Sequence, residues 1–257
     1  MEKTAVDVCC DLGESFGIYT LGHDEEILDL ISSANVACGF HAGDPHVMRK
    51  TISMAKEKGV RVGAHPGLPD LIGFGRRAML LSPAELKDIF TYQLGALKAF
   101  VEAAGMKLQH AIQHGVLTQM AENNEAFGRA ILESIQEVDR ELLYLTLGGS
   151  YLPKMAQEMG IRIVRLAFID RAYDRNLRLV SRKTAGAVIH DLELVEKRVE
   201  QLVSTGTITT VEGEMCPLEF DSIMLHGDTP GALDIAETVA HALKRSGVRV
   251  QSMSELV

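Results

Sequence analysis

The stretch "LQHAIQHGVL", Leu108 to Leu117, decides the fold. Two histidines stand four apart in a mostly apolar run. On a helix that spacing puts both on one face, as in helical zinc sites. On a strand it does the same, because side chains alternate with period 2. Context separates the readings. The helical pattern "PAELKDIFTYQLGALKAFVEAAG" (83–105) ends at Gly105, and Gly115 interrupts the run after His114. The stretch therefore reads as a buried strand over 108–113, with His110, Ile112 and His114 on one face and His114 at its carboxyl end.

On either side of it the same rhythm repeats. Short β-branched or apolar runs occur at 4–10, 34–40, 60–64, 142–147, 161–169 and 220–226. Between them lie helical patterns such as "DEEILDLISS", "PHVMRKTISMAKEKG", "NEAFGRAILESIQEV", "SYLPKMAQEMG", "LELVEKRVEQLVSTG" and "PGALDIAETVAHALKRSG". Ser82 with Glu85 predicts a capping box with Pro83 at the first helical position. Asp44 before Pro45, and Asp228 before Thr229-Pro230, read as helix starts. Gly59, Gly105, Gly160 and Gly247 read as helix ends. Strand followed by helix, seven times over, means parallel strands joined by right-handed crossovers. Two closures fit: an irregular seven-stranded (β/α) barrel or an open doubly wound sheet. No GxGxxG follows the first strand, which disfavours dinucleotide binding. The rhythm breaks around 171–219, where a hairpin in "TITTVEGEMCPLEF" turns at Glu212-Gly213. That stretch reads as an elaboration on one domain spanning 1–257.

The bulk numbers exclude some classes. The 257 residues carry a formal net charge of -9, 46% hydrophobic and 24% charged residues. Without a Lys/Arg stripe, nucleic acid is not an expected partner. No apolar run is long enough for a membrane span. Cys9, Cys10, Cys38 and Cys216 form neither a zinc-like CxxC pair nor a disulfide framework. With no signal-peptide pattern at the N-terminus, they predict a reduced, cytoplasmic setting.

Titratable residues concentrate where strands end. Asp11 and Glu14 follow the first strand, His41 and Asp44 the second, and His65 the third. His114 ends the fourth, Asp170 and Arg171 follow the sixth, and His226 and Asp228 end the seventh. The carboxyl ends of strands are where barrels and open α/β sheets carry their sites. Asp11, His41, His65, His114 and His226 are therefore the candidate catalytic groups, suited to acid–base work near neutral pH. Asp11, His41 and His65 would also supply a mixed O/N ligand set for a transition metal. Glu14, Asp44, Arg76, Arg77, Asp170, Arg171 and Asp228 are candidates for holding substrate or nucleotide. In "GFGRR" (73–77), Arg76 and Arg77 could clamp an anion or simply be solvated. Asp44 and Asp228 could equally serve as helix caps. His23, His46, His190 and His241 fall in helical or loop contexts facing water. No GxSxG occurs, so a serine nucleophile is not expected.

The blocks "CDLGESFG" (10–17), "SSANVACGFHAGDP" (32–45), "GAHPGLPDLIGFGRRAM" (63–79), "YQLGALKAF" (92–100), "GAVIHD" (186–191) and "HGDTPGA" (226–232) carry a resemblance. In order and over nearly the whole chain, they resemble the LamB/YcsF family, which comprises the A subunits of bacterial 5-oxoprolinases. The resemblance implies an irregular (β/α) barrel akin to the glycoside hydrolase/polysaccharide deacetylase fold. It implies ATP-dependent opening of 5-oxoproline to L-glutamate, with Mg2+ accompanying the nucleotide, in a complex with B and C subunits. The chain departs from the family pattern at three places. Cys9 stands where Asn is usual, Ile112 where Lys is usual, and Leu166 where Glu is usual. No Walker A motif is present, so ATP would use an unconventional loop set or a partner subunit.

Overall fold

The computed structural model describes residues 3–148 and 150–257. Its frame is a closed ring of seven parallel strands. These are β1 (Ala5–Leu12), β2 (Ser33–Ala37), β3 (Arg61–His65), β4 (His110–Ala111), β5 (Leu143–Leu147), β6 (Ile163–Phe168) and β9 (Ser222–His226). They pair in that order, and β9 returns to β1 to close the barrel. Closure decides between the two topologies that the strand–helix rhythm allowed. The strands are nearly continuous apolar runs because both faces are covered: seven of the eight residues of β1 are buried.

Helices α1 (Asp24–Ile27), α2 (Pro45–Glu57), α3 (Pro83–Ala103), α4 (Val116–Asn123), α5 (Glu125–Val138), α6 (Leu152–Glu158), α7 (Leu192–Thr205) and α8 (Ala232–Arg245) fill the crossovers. Apolar residues such as Leu86, Phe90, Leu94 and Leu97 recur along α3 at helical spacing and are fully buried. The predicted capping box forms, with Ser82 Oγ accepting from Glu85 N–H and Glu85 accepting from Ser82 N–H. Asp44 caps α2 by accepting from His46 and Val47 N–H. Asp228 does not cap α8; the cap position is Gly231, in the left-handed region, and Asp228 turns to Arg76 instead. Gly59, Gly105, Gly160 and Gly247 all take positive φ just past helix ends.

The 169–191 segment runs irregularly over one side and is held by two arginines. Arg171 donates to the carbonyls of Ala187 and Val180, and Arg198 to those of Ile169 and Arg171. The hairpin β7 (Thr207–Thr209) with β8 (Met215–Pro217) follows α7 and pairs antiparallel outside the barrel. The last residues close the floor. β10 (Arg249–Val250) pairs with the start of β1, and Met253 is fully buried. No helix among the described residues is long and apolar enough to cross a membrane.

Candidate functional site

The site is built on strand ends and the loops that follow them. Strand β1 delivers Asp11, and the loop after it delivers Glu14. The loop after β2 brings His41, β3 ends on His65, and the turn after the two-residue β4 brings His114. All five are buried. His41 and His114 stack face to face, with centroids 3.7 Å apart and planes within 3°. His65 stands edge-on to both. The neighbours leave room: a Cβ at Gly67 would lie 2.4 Å from His41 Nδ1, so only glycine fits beside that ring.

Hydrogen bonds fix the ring tautomers. His65 Nδ1–H donates to the Ile112 carbonyl (3.1 Å), and His114 Nε2–H to the Phe74 carbonyl (2.9 Å). Phe74 presents that carbonyl from φ 53°, a left-handed conformation unusual for an aromatic residue. With those donors fixed, neutral rings would turn two lone pairs toward each other between His65 Nε2 and His114 Nδ1, 2.9 Å apart. A proton on His65 Nε2, or a cation in the gap, removes the repulsion. Asp11 Oδ2 lies 3.4 Å from the same nitrogen and supplies the counter-charge.

The two carboxyl groups are pushed apart in acidity. Burial would raise Asp11, but the adjacent His65, helped by His226 and His114, outweighs it and holds the carboxyl well below the usual range. Glu14 goes the other way: burial, then repulsion from Asp11, pushes it well above its ordinary value. Burial also drives His41 far down and His114 to about 3. With Glu14 pushed up and His41 pushed down, burial works against an ion pair across the 3.4 Å approach of His41 Nε2 to Glu14 Oε1.

Donor atoms of Glu14, His41, His65 and His114 lie within 4.8 Å of one another. Among the described residues, Glu14 Oε1 and both His41 ring nitrogens have no hydrogen-bond partner although buried. Convergent, unpartnered O and N atoms suit a divalent metal ion. The ligand set differs from the expected one: Glu14 and His114 join His41 and His65, whereas Asp11 sits behind His65 and accepts from Asn35 (3.0 Å). The sequence separates Glu14 from Asp11 by a turn at Gly13, which hides their different depths.

The remaining candidates spread around this cluster. Asp170 accepts from His226 Nδ1–H (2.7 Å) on the β6–β9 side, and Asp170 Oδ1 has no partner among the described residues. Arg76 lies over the Phe74 ring and pairs with Asp228. Arg77 is held by Asp70 (Nε–Oδ2 2.9 Å), so the two arginines are already engaged by carboxylates. Arg171 is an internal brace for its loop, its guanidinium lowered to about 10 by burial. Asp44 accepts from Gly17 N–H besides capping α2. Ile112 and Leu166 are buried in the apolar core, and Cys9 Sγ lies 3.2 Å from Ser222 Oγ. His23, His46, His190 and His241 are at least partly exposed. Two polar residues escape a reading of the sequence, Asp7 and Asn35, although each interrupts an otherwise apolar strand. At the opposite rim an open groove of about 440 Å3 is lined by Asp29, Lys58 and Arg61. Its charges pair across it, Lys58 with Asp29 at 2.6 Å, and it gathers no buried titratable cluster among the described residues.

Comparison with known proteins agrees with the barrel fold. The chain is 49% identical to the A subunit of 5-oxoprolinase from Thermococcus onnurineus over 98% of this chain and 99% of that one. A lactam utilization protein from Thermus thermophilus superposes with a TM-score of 0.92 at 40% identity, covering 96% and 99% of the two chains. A T48 deacetylase solved with substrate shares the fold alone, with a TM-score of 0.50 and 12% identity over 99% of this chain and 90% of that one. The LamB/YcsF family model matches residues 6–257, and with these relatives the chain belongs to the LamB/YcsF family.

Proposed function

We propose that the chain is the A component of a 5-oxoprolinase, opening the lactam of 5-oxoproline to L-glutamate with consumption of ATP and in company with B and C subunits. A reduced, cytoplasmic setting accords with its four free cysteines. The observation that carries the chemistry is the convergence of two buried carboxyl groups in one mouth, Asp11 beside His65 (3.4 Å) and held low by it, Glu14 pushed well above its ordinary value by burial. Such a split assigns base and acid roles. Breaking the lactam C–N bond adds hydroxyl to the carbonyl carbon and a proton to nitrogen. Glu14, its carboxyl pushed up by burial, would give that proton. The Asp11–His65 pair is placed to take one from water, with His114 relaying along the 2.9 Å contact. A divalent ion held by Glu14, His41, His65 and His114 is the alternative to this proton transfer: it would need Glu14 ionised and would polarise the amide oxygen.

Among the described residues, the two arginines nearest the mouth are already paired, Arg76 with Asp228 and Arg77 with Asp70. There is no Walker A loop in the sequence. The ATP requirement then falls to the assembly of A, B and C components. Mixing the chain with B and C proteins, ATP and 5-oxoproline should release glutamate and ADP together. ADP release that ignores 5-oxoproline would rule out the substrate.

The four-residue ligand cluster favours a second reading, a metal-dependent amide hydrolase that needs no ATP. Metal analysis of protein purified without chelators separates the two. Less than about a tenth of an equivalent of transition metal, far below the one ion a closed site should retain, rules this reading out.

A further inference from the structure

Below the mouth, a second histidine of the opening stretch performs a task that the strand pattern does not explain. His110 is fully buried on β4. Its Nε2 lies 2.6 Å from Asn35 Oδ1 on β2, although β3 runs between those two strands. The reach is made by Gly63. This residue pairs with Asn35 in register, and a Cβ there would fall 2.1 Å from His110 Cδ2 and Nε2. Glycine on β3 is thus the gap through which the imidazole crosses to β2. Asn35 in turn pairs in register with Asp11 on β1 and donates to its Oδ1 (3.0 Å).

We infer that His110 is a positioning residue for the reaction, holding the Asn35 amide so that its N–H faces Asp11 and its oxygen faces away. The direction of each bond follows from chemistry. Asn35 must aim its NH2 group at the carboxylate, because its oxygen there would meet another acceptor at 3.0 Å. That leaves Oδ1 toward His110, which must donate from Nε2. Burial pushes His110 down to about 3, so the ring is neutral and accepts at Nδ1. Gln109 Oε1 stands 3.0 Å from Nδ1, so both ring nitrogens face amide oxygens, and a neutral ring with its proton on Nε2 requires the Gln109 amide turned over, its NH2 group toward Nδ1. Gln109 is itself bonded to Ser33 and Ser254 at the floor. The amide that orients the base is therefore anchored from below by a chain of oriented groups.

The catalytic consequence rests on the lactam-opening reading. The experiment measures glutamate release by the reconstituted complex for wild type, His110→Leu, His110→Gln, Gly63→Ala, Asn35→Ala and the His110→Leu/Asn35→Ala double variant. His110→Leu and Gly63→Ala should each lower kcat roughly 10–100-fold, the usual effect of removing a group that orients a site residue. KM should stay within about threefold, because no substrate contact is lost. His110→Gln keeps an N–H donor and should recover part of the rate. The double variant should be no slower than Asn35→Ala alone, because His110 acts only through Asn35. Unchanged kcat in His110→Leu, or losses that multiply in the double variant, would overturn the inference. If His110→Leu does not fold, Gly63→Ala decides, since it moves the ring and leaves its chemistry intact. Histidine 15N NMR of the wild-type chain is independent of turnover. It should show His110 protonated at Nε2 and protected from exchange, with protection lost in Asn35→Ala. An Nδ1-protonated ring would overturn the inference even if the complex turns over 5-oxoproline. A wild-type complex without turnover would instead remove the functional reading and leave the NMR result to decide this one.

Discussion

Among single residues, the site shows how burial sorts chemically identical groups. Asp11 and Glu14 are three positions apart, yet one carboxyl is held well below its ordinary range and the other pushed well above it. The difference is whether a protonatable ring stands beside the carboxyl with a matched donor. Asp11 has His65 and Asn35; Glu14 faces His41, itself driven neutral. Asp11→Asn should therefore lose both rate and stability, the loss of a buried hydrogen-bonded partner costing about 1–3 kcal/mol. The pH dependence follows from the depressed folded-state value. Ionised Asp11 stabilises the fold fully above its unfolded value of about 4, and the contribution is lost as pH falls toward the folded value. Urea melts should show the wild-type advantage over Asp11→Asn undiminished from pH 7 to about 5 and shrinking below about 4. An advantage that grows on acidification would contradict the Asp11–His65 pairing.

For helices and strands, what the sequence discloses depends on whether a local rule or a tertiary contact decides. The seven barrel strands are legible because each is an apolar run between turn signals. Helix α3 announces itself through Ser82, Pro83 and Glu85, and Ser82→Ala should cost about 1 kcal/mol, measured by denaturant unfolding with unchanged activity. Helix α4 carries no such announcement. It starts at Gly115, with φ 60° and no side-chain cap, so no start signal is written there. The pattern "DEEILDLISS" suggests a full helix, but α1 stops at Ile27 because the chain must turn and enter β2 at Ser33. Asp228 looks like a cap and is a partner for Arg76, a contact 152 residues away that no local spacing reveals. The site follows the same division. Its histidines are legible as strand-end residues, whereas the roles of Asn35 and Gly63 depend on which strands the barrel sets side by side.

Taken whole, the barrel is a tube with a reactive mouth and a sealed floor. Asp7 lies at the floor, fully buried, accepting from the hydroxyls of Ser32, Ser33 and Ser222 and from Met253 N–H. Burial outweighs these bonds and raises its carboxyl to about 6. A raised acid keeps its stability contribution below the unfolded value and loses it as pH climbs to the folded one. Stability should therefore fall between pH 4 and 6 by about 3 kcal/mol on account of Asp7, from about 1.4 kcal/mol per pH unit. His110 and His114, lowered to about 3, act oppositely in that window, so the comparison must be with Asp7→Asn. That variant should lack the Asp7 loss; an identical pH profile would place the titration elsewhere. The mouth, however, bears the central claim that a raised and a lowered carboxyl group, Glu14 and Asp11, act as acid and base in opening a lactam. The most direct measurement is the single-turnover release of glutamate from 5-oxoproline, with B and C proteins and ATP in excess, for wild type and Glu14→Gln. Wild type should form glutamate with matching ADP. Glu14→Gln, which keeps the shape and removes the proton, should be slower by at least about 100-fold with its melting temperature retained. A Glu14→Gln complex that forms glutamate at the wild-type rate would contradict the assignment.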